Sequence, residues 1–351
     1  MTLNHQKNPQ KRKAMERNKP LPFLMFKIGN VDIKGRVVLA PMAGVTSFAY
    51  RLFMAPFGLD LTVTEMISDC GIIYGNEETL KYLPQKGDPR PIALQLFGGE
   101  KDNLVAAIKK IETMEQVEFD ILDLNLGCPV PKVTRNNGGS AWLKDEQRLV
   151  EMLEAVVATS SRPVTVKIRI GWDEDSINFL ELIPKIEKSG VKMIAVHFRT
   201  TKQLYGGKAR YELGNNLRAK MTVPLVVSGD IFTLEDAISA LEITGADAVM
   251  VARGSMGNPH LIKQISHYYQ TGEKLEAVSL KDQISYLRQF ARLLVEEKGE
   301  KTAISNLRGI ASHFLSGFPH TKQYRIKISQ TMTCLADLDA ILDEIDNSNL
   351  F

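Results

Sequence analysis

The 351-residue chain is poor in cysteine: Cys70, Cys128 and Cys334 are the only three, and none forms a CxxC pair. That count argues against a disulfide framework and against a cysteine-based zinc site. No stretch reaches the ~18 uninterrupted apolar residues of a membrane helix. The opening residues, MTLNHQKNPQKRKAMERNKP, hold no apolar run of signal-peptide length, so a cytosolic location is expected. No GxGxxG turn follows the first strand-like run, which argues against a doubly wound dinucleotide fold. Hydrophobic residues at 44% and charged residues at 24% are those of an ordinary globular protein and exclude wholesale disorder.

The net charge is only +3, but it is uneven. Residues 1–20 carry Lys7, Lys11, Arg12, Lys13, Arg17 and Lys19 against Glu16 alone. Residues 301–330 carry Lys301, Arg308, Lys322, Arg325 and Lys327 with no acid, whereas 331–351 hold five acids and no base. A basic segment on a near-neutral body presents a local field to a polyanion; a solvated face is the plainer reading.

Eight short, near-continuously apolar runs recur between residues 36 and 254: VVLAPM, LTVTEMI, PIALQLFG, ILDLNLG, VTVKIRIG, MIAVHFRT, LVVSGDI and AVMVARG. Such runs suit parallel strands buried on both faces. Amphipathic segments between them (101–114, 146–160, 177–190, 233–245) have helical spacing, and two end at glycine. Eight alternations predict an α/β fold, a (β/α)8 TIM barrel. After 262 only helical periodicity remains, in 279–299, 303–317 and 334–347. The expected organisation is a basic tail at 1–20, a barrel at 21–262 and a small all-helical C-terminal domain at 263–351.

The apolar runs end in groups that are costly to bury: Met42, Glu65, Gln95, Asp123 and Asn125, Lys167 and Arg169, His197 and Arg199, Ser228 and Asp230, and Arg253. In a TIM barrel this end of the strands is the active-site face. A period of two places each pair on one side of its strand. A layer of so many polar groups calls for a polar ligand, because each unpaired buried group costs about 1–3 kcal/mol.

The stretches APMAGVTSFAYRLF, TEMIS, LQLFG, LDLNLGCPVPKV, VKIRIGW, HFRT, SGDI and ARGSMGNPH resemble the tRNA-dihydrouridine synthases, most of all their bacterial B-type branch. The resemblance spans about residues 25–330. It implies an FMN barrel that uses NADPH, or NADH, to reduce particular uridines of tRNA to 5,6-dihydrouridine. The chain as a whole is expected to be a cytoplasmic monomer without metal or membrane. By that resemblance Cys128 is the acid that protonates C5, with Lys167 and His197 beside it. Ala40, Pro41 and Met42 would lie along the flavin ring. Gln95, Asn125, Lys167 and His197 would meet its polar edge. Ser228, Gly229 and Asp230 with Ala252, Arg253 and Gly254 would receive its phosphate. Lys132, Arg169, Arg199, Tyr205, Arg308, Lys322, Arg325 and Lys327 would face tRNA. The chain departs from the family pattern at Phe198, Ser228 and Ala252. Lys167 has a second reading, an ion pair with Asp123. Two other functions stay open: an FMN barrel acting on a small molecule, and a non-catalytic tRNA-binding protein.

Overall fold

The computed structural model describes residues 25–348; the expected basic tail lies outside them. The chain opens with a hairpin of β1 (Phe26–Ile28) and β2 (Val31–Ile33). The barrel strands follow: β3 (Val37–Leu39), β4 (Leu61–Val63), β5 (Ile67–Ser68), β6 (Ile92–Phe97), β7 (Ile121–Leu126), β8 (Val164–Arg169), β9 (Met193–His197), β10 (Leu225–Ser228) and β11 (Ala248–Val251). All barrel pairings are parallel. β11 returns to β3 and β4 pairs with β6, so the sheet closes. β4 and β5 occupy one barrel position, and the buried residues Thr64 and Glu65 interrupt it. All eight expected runs thus form the eight barrel positions.

Two cores follow from the period of two. Outward positions such as Leu94, Leu124 and Val166 pack against the surrounding helices. Inward positions Val38, Leu61, Ala93, Ile121, Met193, Val226 and Ala248 form a separate apolar cluster with Phe26, Ile28 and Ile33 of the hairpin. The hairpin therefore plugs the N-terminal end of the barrel. Sequence periodicity did not anticipate it.

Helices begin and end where side chains satisfy their termini. Thr233 and Asp236 form a capping box at Leu234–Thr244, which Gly245 ends at φ +70°. Ser279 caps Leu280–Lys298, which ends at Gly299 (φ +73°). Helices Glu300–Phe314, Lys322–Thr331 and Leu335–Asp346 complete the C-terminal region. Helix Pro259–Thr271 spans the boundary expected at 262.

An aromatic cluster seats this helical region on the barrel: Phe290 lies 5.4 Å from both Tyr50 and Phe53, and 6.1 Å from Phe314. Glu297 caps the barrel helix Phe48–Met54, accepting from Ser47 Oγ at 2.8 Å and Ala49 N at 3.0 Å. The acidic last helix is neutralised from within, Arg288 bonding Asp339 and Asp343 at 2.5 and 2.6 Å.

Candidate active site

Parallel register sets the height of each polar side chain. Gln95 pairs with Asp123, Asn125 with Lys167, Arg169 with His197, and His197 with Ser228. These inward positions sit above the apolar plug, so the barrel interior turns from apolar to polar toward its C-terminal mouth.

A hydrogen-bond chain organises the layer. Thr165 Oγ1 and Gln95 Nε2 donate to the Asp123 carboxylate at 2.5 and 2.7 Å. Asn125 Nδ2 donates to Gln95 Oε1 at 2.8 Å. Asn125 Oδ1 accepts from Gly127 N and Cys128 N at 3.2 and 2.8 Å, which shapes the turn that presents the Cys128 thiol. Asp123 is held by these neutral donors, and no Lys167–Asp123 ion pair forms among the described residues. That alternative reading of Lys167 is corrected.

The layer opens into a cleft of about 340 Å³, within the size range of small-molecule sites. It gathers Ala40, Pro41, Met42, Gln95, Asn125, Cys128, Lys167, Arg169, His197, Tyr205, Ser228, Gly229, Asp230, Ala252, Arg253 and Gly254. Burial pushes the Cys128 thiol up, partly countered by a backbone hydrogen bond and by Lys167 and Arg169. Burial, then Arg169, lowers Lys167 to about 8, so it remains mostly protonated at neutral pH. No hydrogen-bond or ion-pair partner meets its ammonium among the described residues. His197 is pushed well below its ordinary value by burial and by Lys167, Arg169, Arg199 and Arg253, and is neutral. Four cations thus act on His197, and three of them, Lys167, Arg169 and Arg253, line the cleft.

Two residues expected to face RNA are buried. Arg169 is 2% exposed and donates to Gly127 O, Thr200 O and Leu204 O. Arg199 is 1% exposed and donates to Gly206 O, Gly207 O and Asp230. Both guanidiniums brace loops from beneath, because a buried arginine must satisfy its five donors internally. Asp230, expected at the cofactor phosphate, directs its carboxylate to Arg199, Arg253 and Ala209 N.

Phe198, a departure from the family pattern, is fully buried behind the barrel wall against Phe179 and Tyr211, at 5.9 and 4.9 Å. Cys70, which belongs to none of the motifs, is exposed. Of the outlying cations, Lys132, Arg308 and Lys322 are exposed and Arg325 is half-buried. Arg308 bonds Met332 O at 2.6 Å, and Lys327 pairs with Glu344 at 2.6 Å. Sequence reasoning missed Val45, Met66 and Phe232 in the cleft wall. Phe232 directly follows SGDI, a loop already singled out, and was the most findable of the three.

A closed eight-position parallel barrel with a polar cleft at the C-terminal strand ends defines a (β/α)8-barrel enzyme. A family model described as "Dihydrouridine synthase (Dus)" matches residues 38–347. The chain belongs to the dihydrouridine synthase family, a family of oxidoreductases. It is 35% identical over 319 residues to the "Probable tRNA-dihydrouridine synthase" of Rickettsia bellii, covering 91% of this chain and 97% of that one. It is 34% identical over 317 residues to "tRNA-dihydrouridine synthase B" of Pseudomonas aeruginosa, covering 90% and 93%. Among solved structures, an old yellow enzyme homologue from Zymomonas mobilis superimposes with TM-score 0.50 at 15% identity, over 74% of this chain and 95% of that one. Histamine dehydrogenase from Rhizobium sp. 4-9 gives 0.52 at 13%, over 77% and 50%. At such identities both speak for the fold alone.

Proposed function

We propose that the protein reduces particular uridines of tRNA to 5,6-dihydrouridine, with FMN in the barrel cleft and NADPH, or NADH, as reductant. The observation that carries this reading is the Lys167 ammonium, unpartnered among the described residues, half-buried among further cations beside the half-buried neutral thiol of Cys128. A fixed, poorly solvated cation calls for a ligand edge that carries negative charge. The pyrimidine edge of a flavin is such a ligand, and a cation there favours its reduced form.

The other residues fit the same ligand. Met42 and the 40–42 backbone form one wall. Gln95 uses one amide hydrogen on Asp123 and keeps a second for the ring edge, whereas Asn125 donates to both Gln95 Oε1 and the weak acceptor Met66 Sδ, at 2.8 and 3.6 Å. The amides of 228–230 and 252–254 and the Arg253 guanidinium suit a phosphate at the βα-loops. Gly254 is required there, because a Cβ would lie 1.9 Å from Ile231 O. When bound, FMN supplies the hydride that no side chain carries.

Cys128 holds a proton on Sγ at neutral pH and delivers it to C5 of the uracil ring. The thiolate left behind faces the charges of Lys167 and Arg169. His197, being neutral, hydrogen-bonds the ring without adding charge. The target uridine must leave its stack to reach this depth. The C-terminal helices, with Lys322 and Arg325, and Lys132 at the barrel rim then hold the surrounding RNA by its phosphates.

The test is to incubate the purified protein with NADPH and unmodified tRNA and to quantify dihydrouridine by mass spectrometry. Dihydrouridine formation is expected. Flavin-dependent NADPH oxidation without it would transfer the reading to a small-molecule flavin reductase.

A further inference from the structure

Three successive βα-loops meet on one side chain at the cleft mouth. The Arg253 guanidinium, just after β11, lies 5.2 Å from the ring centre of Tyr205, in the loop after β9. It lies 5.5 Å from the ring of Phe232, in the loop after β10, and 3.3 Å from Asp230 Oδ1. Both rings are large and apolar, yet they are 52% and 46% exposed. Burial in the core therefore does not account for them, whereas a face for a guanidinium does.

The bracing continues beneath. Arg169 holds Thr200 O and Leu204 O at 2.7 and 2.8 Å, and Arg199 holds Gly206 O and Gly207 O at 2.9 and 2.8 Å. Leu204 sits at φ +52° and Asp230 at φ +50°. A non-glycine residue keeps such a backbone only where its surroundings over-determine it. The Asp230 carboxylate is balanced by Arg199 at 2.6 Å, so Arg253 keeps its positive charge for another anion. An exposed arginine without such bracing samples many rotamers, and ordering it opposes binding.

We propose that Tyr205 and Phe232 are positioning residues that clamp Arg253 as a phosphate receptor, so that the cleft selects a phosphorylated flavin over the unphosphorylated one. This rests on the flavin reading above. It moves Tyr205 from the RNA side, where the sequence had placed it, to the cofactor side.

The test uses the full chain stripped of flavin, as wild type and as Tyr205→Ala, Phe232→Ala, Tyr205→Phe and Arg253→Ala. The probes are FMN and riboflavin, titrated by fluorescence quenching. Loss of either ring is expected to weaken FMN binding about two- to fivefold, the range for a partly exposed guanidinium–ring contact. Riboflavin binding is expected to be unchanged, and Tyr205→Phe to match wild type. In an Arg253→Ala background the ring substitutions should add nothing further. Equal weakening of both flavins overturns the clamp, as does full FMN affinity in the ring variants with a raised KM for tRNA. A wild-type protein that binds neither flavin overturns the reading beneath it as well.

Discussion

Lys167→Met should make the flavin-free protein more stable while abolishing its function. Burial lowers Lys167 from 10.5 to about 8. Roughly 2.5 pH at about 1.36 kcal/mol each corresponds to about 3 kcal/mol. The sign follows from linkage. The unfolded chain binds this proton more tightly, so the penalty on folding is complete below pH 8. It fades as pH rises from 8 toward 10.5, and stability contributed by this group rises across that window. Methionine carries no charge and removes the penalty. The gain expected at pH 7 is about 1–3 kcal/mol, the lower end allowing for water that reaches a half-buried ammonium. The assay is urea unfolding of both flavin-free proteins at pH 7 and pH 10, with flavin affinity measured in parallel. The difference between the two should be large at pH 7 and fall to about a quarter of that value at pH 10, with flavin affinity lost in the variant. A variant less stable than wild type at pH 7, or two parallel pH dependences, would refute the reasoning. Active sites store instability of this kind because charge is held ready for a ligand.

Cys128→Ala is expected to keep its flavin and its NADPH oxidation but to lose about 10²–10⁴-fold in uridine reduction, the range for one positioned acid; undiminished dihydrouridine in mass spectra of the tRNA would dismiss the acid role. Asp88→Ala strands the buried Arg51, which Asp88 binds through two 2.7 Å contacts at 2–3% side-chain exposure. The expected cost is about 3–5 kcal/mol, and an unfolding midpoint within error of wild type would contradict it. Replacing Lys322 and Arg325 by alanine should weaken tRNA binding and flatten its log–log salt slope by roughly 0.7–0.9 per lost phosphate contact, at unchanged flavin content. Lys327→Ala, already paired with Glu344, should change the slope less, as filter binding at several salt concentrations would reveal.

The barrel was legible because burial on both sheet faces leaves each strand as a continuous apolar run. The runs ending in Gln95, Asn125, Lys167 and His197 announced the mouth, since only a ligand site makes polar residues worth placing there. The place of Cys128 in the cleft wall was legible through the turn residues around it. The plug at 26–33 was not, because three-residue strands carry no period and its contacts, such as Leu61 and Met193, lie far along the chain.

What the chain determined locally was the order of strands and helices and which residues sit at strand ends, because backbone periodicity is written in adjacent residues. Whether a strand-end cation faces a ligand or braces a loop was decided only by closure of the barrel. Arg169 and Arg199 find loop carbonyls within 3 Å, while Lys167, two residues before Arg169 on β8, finds none among the described residues. Phe198 likewise takes its burial from Phe179 and Tyr211 rather than from its motif. Each side chain carries its chemistry in its own atoms, but its partners come from strands and loops that only the folded barrel brings within hydrogen-bond reach.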